Sequence, residues 1–386
     1  MSFAFSQNLA FQYIPLFNKK LGANEIEMGL MTAVQNVFST AFSPFWGRIS
    51  DAHGRKLFLL LGSFIATASA GTLTFAKNPL QVIVSIAVNS FGLSMLVPAW
   101  QGALADYTEG SKRGGFMGRI TGVAYLYVTI TLALYSFVAP LLEITEIQQY
   151  RVIMATSAVN FLIMVVLSWI LIDLKDPNGR NREYSLLASL RDRIYRRFLA
   201  VILFWWFWMS LAWSYFPTVI AVVIDASVSE VAWIAITGTV VQAIASYRMG
   251  SLIDRIGERR SIIYGFITFT IVPLNFAFAT EWWHLIPAQI IAGVGIGFGF
   301  TALQTYILEI AGSEKAGNYQ GTYNLLWGAL TFVGSYFGGW FLQWLKGTVG
   351  SLPLALTYAL LIVTVLRFFS NFIMYFFLPD PYPKQE

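Results

Sequence analysis

The residues best placed to do chemistry sit in a charged stretch that occurs twice. Gly47-Arg48-Ile49-Ser50-Asp51-Ala52-His53-Gly54-Arg55-Lys56 is followed, 203 positions later, by Gly250-Ser251-Leu252-Ile253-Asp254-Arg255-Ile256-Gly257-Glu258-Arg259. The chemistry open to Asp51 and Asp254 is electrostatic and reversible. A carboxylate beside a helix N-terminus contributes about 0.3–1 kcal/mol, enough to bias two states without locking either. Covalent and metal chemistry are poorly served: there is no cysteine, and His53 and His284 stand apart with no cluster of metal ligands around either.

The same offset links Gly62 to Gly265, Gly92 to Gly295, Gln101 to Gln304, Lys112 to Lys315, Gly114 to Gly317 and Gly118 to Gly321, and pairs Asp106 with Glu309. The chain is therefore a duplicated unit. Of its 386 residues 56% are hydrophobic and 12% charged, against about 25% charged in soluble domains, so the charged stretches are positioned by membrane-embedded elements. Apolar windows of ~20 residues, enough to cross ~30 Å of hydrocarbon as a helix, fall near 2–18, 28–47, 57–76, 79–105, 116–142, 151–172, 198–224, 230–249, 261–280, 285–308, 319–345 and 352–378. Long runs such as Val201 to Val223 do not alternate as barrel strands do, which leaves helices as the spanning form. The first run starts at Met1 without a basic segment or a small-residue cleavage site and is expected to be a spanning helix. The expected fold is an all-α membrane protein with twelve transmembrane helices in two pseudo-symmetric six-helix bundles. They cover 1–173 and 198–386, with a cytoplasmic linker carrying an amphipathic helix at 174–197.

The net charge of +5 is better understood by location. Most Lys and Arg fall in alternate loops, at Arg48, Arg55 and Lys56, at Lys112, Arg113 and Arg119, along the linker from Lys175 to Arg197, and at Arg248, Arg255, Arg259 and Arg260. The opposite loops hold Lys19, Lys20, Lys77, Arg151 and Lys346. The positive-inside rule then places the chain in the cell membrane with both termini cytoplasmic, and the charge marks topology, not a nucleic-acid surface. In the linker, Leu186, Leu187, Leu190 and Ile194 share one helical face flanked by Arg191 and Arg193. That pattern suits a helix lying on the membrane surface or one that binds a partner.

The G-x-x-x-D-x-x-G-R-K stretch between the second and third spans resembles the signature loop of the major facilitator superfamily, and its second copy lies between the eighth and ninth spans. Length, span count, linker and parallel repeat resemble that family as well. The resemblance implies a cytoplasmic gate formed by Asp51, Arg55 and Lys56 in the first half and by Asp254, Arg259 and Arg260 in the second. Asp106 and Glu309, in family-like loops after the fourth and tenth spans, are placed to pair with those cations. Gly47 and Gly250 are expected to permit close backbone approach. Otherwise these charges serve only to hold loops at the membrane surface. Departures include Ala52, His53 and Glu258 within the loops, and Pro98 where the family places an Arg three residues before Gln101-Gly102. The G-P-x-x-G-G signature of proton-driven drug exporters is missing from the fifth span. Gly118-x-x-x-Gly122 and Gly334-x-x-x-Gly338 are expected to be packing seams. Gly293-x-Gly295-x-Gly297-x-Gly299 has no preceding strand, so it marks a flexible or tightly packed helix and not a dinucleotide loop.

None of the 20 carboxylates falls at the centre of a span. A buried proton relay is therefore not visible, and a strongly cationic substrate would lack a counter-charge at the midplane. Arg367, past the middle of the twelfth span, is expected either to meet an anionic group or to snorkel towards the interface. The resemblance implies that spans one, four, seven and ten line a central cavity. Candidate substrate-binding residues are Asn8 and Gln12, one turn apart in the first span, Gln101 in the fourth, Trp208 and Ser210 in the seventh, Gln304 in the tenth, and Tyr323, Asn324 and Trp327 in the eleventh. Aromatic faces with a few amides suit a neutral organic ligand. The same residue types also serve as lipid anchors and interhelical hydrogen bonds.

The function expected is secondary transport of a small, neutral or amphipathic organic solute by rocker-switch alternating access. Its partners are that solute, membrane lipids and, where transport is uphill, a coupling ion, with no cofactor and no nucleic acid, the chain acting as a monomer. A sugar-like importer or facilitator is the alternative substrate class. A non-transporting membrane sensor or scaffold is the alternative of another kind, and an intramembrane enzyme lacks its catalytic set.

Overall fold

Apolar runs in hydrocarbon must satisfy their own backbone groups, and this chain does so with helices. The computed structural model describes residues 12–106, 113–141, 143–170 and 189–381. Its helices are α1 (12–20), α2 (Glu25–Thr40), α3 (Ser43–His53), α4 (Arg55–Thr74), α5 (Pro79–Asp106), α6 (Arg113–Val138), α7 (Glu146–Ile170), α8 (Arg193–Leu211), α9 (Tyr215–Thr218), α10 (Val228–Ile256), α11 (Glu258–Ala277), α12 (Ile286–Gly295), α13 (Thr301–Val349) and α14 (Leu352–Phe377). Among the described residues nine helical stretches are long and apolar enough to cross a membrane, and Leu126–Leu141 is a shorter apolar helix. Contacts divide the chain into two compact units, Met1–Arg182 with Ser227–Ala232 and Glu183–Ala226 with Trp233–Glu386.

Several spans depart from the simple rods the sequence predicts. The second is broken: α2 stops at Thr40 and α3 begins at Ser43, with Pro44 in its first turn. Pro44 has no N–H for the Thr40 carbonyl four residues back, so the ladder cannot continue. The seventh passes from α8 through a 3-10 turn (Ala212–Ser214) and α9 into a π-helical turn (Val219–Val223), and the tenth carries another π turn at Ile296–Phe300. The connection expected after the tenth span is helical in backbone, since α13 runs unbroken from Thr301 to Val349.

The stretch expected to form a surface helix in the linker holds, in its described part, a 3-10 turn at Ser189–Arg191 followed directly by α8. Asp192 starts α8 by accepting the backbone N–H of Ile194 at 2.8 Å and of Tyr195 at 3.2 Å, the N-cap arrangement. Its second oxygen accepts the Tyr319 hydroxyl at 3.0 Å. Asp192→Ala is expected to cost about 2 kcal/mol, the upper end for a lost cap, and Asp192→Asn much less. The apparent unfolding temperature of the purified protein checks this order.

The repeated loops share one backbone device. Gly54 and Gly257, repeat mates, take φ of 98° and 84°. Each closes one helix, through its N–H to Ser50 O at 3.0 Å or Ile253 O at 2.9 Å, and precedes the next. Only glycine enters that region without strain. Gly47 is different: an added Cβ would meet Pro98 at 3.5 Å, an ordinary contact, so close approach does not require glycine there.

Other glycines form seams. A Cβ on Gly62 of α4 would lie 2.8 Å from the Gly92 carbonyl of α5, and one on Gly92 would lie 2.9 Å from the Gly62 carbonyl. Their repeat mates also meet, Gly295 of α12 lying against the carbonyl of Gly265 of α11. Gly293 and Gly297 press on α10 at Gln242 and Ala245, so this glycine row is tight packing. Gly334 and Gly338 of α13 press on Ser210 and Leu211 of α8.

Candidate functional site

In the second unit the aromatic run of α8 divides between two sides of the helix. Trp206 is buried, with its ring 5.3 Å from Phe300, 5.4 Å from Trp327 and 6.0 Å from Trp213. Its indole N–H donates to the Tyr323 hydroxyl at 2.8 Å, and Tyr323 is itself buried. These two form a fixed back wall. Trp213, Phe300, Asn324 and Trp327 around it are only half-buried, so part of each stays accessible. Phe300 closes a π-helical turn, a backbone irregularity frequent at functional positions. The Asn324 Oδ1 accepts from Gln320 Nε2 at 2.9 Å. The Trp327 Nε1 is enclosed and has no acceptor among the described residues, so a hydrogen-bonding group brought beside it would satisfy a buried donor. Together these groups offer several π faces, one unpaired indole donor and an amide pair. That combination fits a planar, largely apolar molecule with a polar edge.

The other candidates lie elsewhere. Trp208 turns away from Trp206 and packs its ring 4.9 Å from Phe207 and 5.9 Å from Phe204. Ser210 is fully buried in the seam against Gly334 and donates to the Phe207 carbonyl at 2.9 Å, so packing and not solute occupies it. Gln304 is exposed on α13, and Gln12 is half-buried on α1 in the first unit. Asn8 and the side chain of Gln101 lie outside the described residues.

Of the charged loop residues, Arg55 donates to Ser50 Oγ at 3.3 Å within its own loop, and Lys56 is half-buried. Arg259 is a helix cap: its Nε donates to the Leu378 carbonyl at 2.7 Å and its Nη2 to the Tyr375 carbonyl at 2.8 Å. A cation at the C-terminal end of α14 suits the carbonyls left open there. Arg260 and Glu309 are exposed, and the side chains of Asp51, Asp106 and Asp254 lie outside the described residues.

Arg367 corrects the snorkelling expectation. It is fully buried, donates from Nη1 to the Phe269 carbonyl at 3.0 Å and from Nη2 to the Met209 carbonyl at 2.8 Å, and sits 5.7 Å over the Phe216 ring. Both carbonyls are ones that helices leave open. Pro273, four residues after Phe269 in α11, has no N–H to return. Met209 is among the last four residues of α8, whose carbonyls lack intrahelical partners. One turn along, Asn371 accepts from Trp205 Nε1 at 3.1 Å and donates to Thr270 Oγ1 at 2.6 Å, extending the polar cluster.

The family model of the Major Facilitator Superfamily matches residues 1–225 and 198–386. The chain belongs to that superfamily. This Major Facilitator Superfamily protein is thus a multi-pass membrane transporter of small molecules and not an enzyme. It is 25% identical over 320 residues to multidrug resistance protein MdtG of Proteus mirabilis (strain HI4320), covering 78% of this chain and 76% of that one. It is 20% identical over 340 residues to quinolone resistance protein NorA of Staphylococcus aureus (strain COL), covering 86% and 83%. Among solved structures, nucleoside transporter NupG matches with a TM-score of 0.73 at 11% identity over 97% of this chain and 98% of that one. A bacterial homologue of the human lysosomal transporter Spinster, inward-facing and unoccupied, matches with a TM-score of 0.70 at 13% identity over 99% and 98%. At those identities the two structures speak for the fold alone.

Proposed function

We propose that this transporter moves a neutral or amphipathic organic solute of planar, aromatic character by rocker-switch alternating access, and that Trp206, Trp213, Phe300, Tyr323, Asn324 and Trp327 hold it in the second unit. The observation that carries this proposal is the cluster of half-buried aromatic rings around Trp206, with the Trp327 indole N–H lacking an acceptor among the described residues. Resemblance to proteins named for multidrug and quinolone resistance supports the same solute class. Asn8, Gln12 and Gln101 are proposed as substrate-binding residues of the first unit, and Asp51, Arg55, Lys56, Asp106, Asp254, Arg260 and Glu309 are proposed to act in gating. Arg259 contributes there by holding the end of α14. The loop charges support a cell-membrane orientation with both termini cytoplasmic, and the protein is proposed to work as a monomer.

The test is fluoroquinolone binding to the purified full-length protein by tryptophan quenching, together with uptake into proteoliposomes. Trp327→Ala is expected to weaken binding about tenfold, through lost stacking and buried area, with an unchanged unfolding temperature. Asn324→Ala is expected to alter orientation and rate more than affinity. Binding unaffected by either variant would remove this site. Protection by sugars alone would favour the importer alternative, and no flux of any solute would favour the sensor.

A further inference from the structure

A groove runs along the second unit where α8 and α14 meet. It holds about 340 Å³ and is lined by Arg197, Ala200, Val201 and Phe204 of α8 and by Ile373 and Phe377 of α14. On α8 these residues recur at helical spacing along one face, and on α14 they stand one turn apart. Five of the six are apolar. The one charge is the exposed Arg197 guanidinium, within the first turns of α8, where exposed Arg193 and Arg196 add to the positive field.

Both walls are held without using Arg197. Asp192 caps α8 through two backbone amides. On the other side Arg259 ties down the Tyr375 and Leu378 carbonyls, and the Tyr306 hydroxyl donates to the Pro379 carbonyl at 2.6 Å. The helix ends beside the groove are therefore held in place, which lowers the ordering cost of an occupant.

A soluble anion would use Arg197 and leave the apolar walls wet, whereas a neutral hydrocarbon would fill the walls and leave the cation without a partner. A molecule with a long acyl chain and a phosphate at one end satisfies both. Phe204 and Phe377 are exposed, on helical stretches apolar enough to span the membrane, where such molecules are at hand. We propose that this groove binds an anionic phospholipid, its acyl chain along Val201, Phe204, Ile373 and Phe377 and its phosphate on Arg197. Guanidinium donors suit phosphate oxygens, and the occupant is distinct from the transported solute.

The test is native mass spectrometry of the full-length protein titrated with dioleoyl phosphatidylglycerol or dioleoyl phosphatidylcholine, with unfolding temperature as the second readout. Phosphatidylglycerol is expected to be retained preferentially. Arg197→Gln is expected to weaken it about fivefold, as for one interfacial cation, and to weaken phosphatidylcholine, whose phosphate charge is offset by its own choline cation, less. Ala200→Trp, which fills the groove, is expected to release both lipids. Arg196→Gln, on a neighbouring face of the same helix, is expected to keep the preference. Equal losses in Arg196→Gln and Arg197→Gln would overturn the proposal in favour of diffuse surface attraction. Equal stabilisation by inorganic phosphate would overturn it in favour of a simple anion site, and retention of both lipids by Ala200→Trp would show that the groove is not where they bind.

Discussion

Replacing Arg367 with methionine is expected to destabilise the second unit by several kcal/mol, about 1–3 for each carbonyl left without a donor. Two effects oppose each other. Removing a guanidinium from a fully buried position relieves its desolvation cost, and buried charges replaced by apolar groups of similar size are often neutral or stabilising. Against that, the Phe269 carbonyl has no helical donor to return to, because it faces Pro273, and the Met209 carbonyl is among the last four of α8, where the regular ladder ends. In a membrane interior no water substitutes for the lost donor, so the carbonyls are expected to dominate. Arg367→Lys, able to serve one of them, is expected to fall between. The decisive measurement is a double-mutant cycle on unfolding temperature with Pro273→Ala. That change restores an N–H for Phe269 and is expected to recover part of the loss caused by Arg367→Met. Strict additivity would mean that Arg367 does not act through the proline's open carbonyl.

Gly265→Ala is the second large effect, expected to prevent the second unit from packing. The added methyl would strike the Cα of Gly299 and lie 2.6 Å from its N. These are backbone atoms, so no side chain can rotate out of the way. Overpacking costs about 1–3 kcal/mol even where side chains can adjust, and more is expected here. Gly62→Ala, at the repeat-mate position, would meet the Gly92 carbonyl at 2.8 Å and Leu96 Cβ at 2.9 Å and is expected to be similarly damaging. Gly71 is the control: it lies within α4 and an added Cβ there meets nothing within 4 Å. Gly71→Ala is expected to be neutral or to stabilise by about 0.5–1 kcal/mol. Size-exclusion profiles of the detergent-solubilised variants separate the cases. If Gly265→Ala ran as a sharp peak like Gly71→Ala, the contact between α11 and the π turn at Ile296–Phe300 would have to be looser than its geometry implies.

Much of this was legible in the residue order because it is periodic. Apolar runs of membrane length determine helices, since hydrocarbon offers the backbone no other donor or acceptor. A constant offset of 203 determines that a contact in one half has a counterpart in the other, as the Gly62–Gly92 and Gly265–Gly295 meetings illustrate. The seam residues Gly334 and Gly338 were readable for the same reason, as small side chains one turn apart.

What the order of residues left undecided depends on partners far along the chain. Trp206 and Trp208 stand two positions apart and differ little as sequence, yet only Trp206 meets Tyr323, Trp327 and Phe300. Ser210 is as polar as a ligand contact needs to be, but α13 arrives against it and closes it off. Arg259 sits in a charged loop whose pattern suggests a gate, while the carbonyls it serves belong to a helix more than 100 residues later. Arg367 shows the limit best. Its type and depth said only that a cation needed a partner, and the partner proved to be two carbonyls freed by Pro273 and by the end of α8. Local periodicity determines which groups a helix leaves open; only the packing of several helices decides which side chain reaches them.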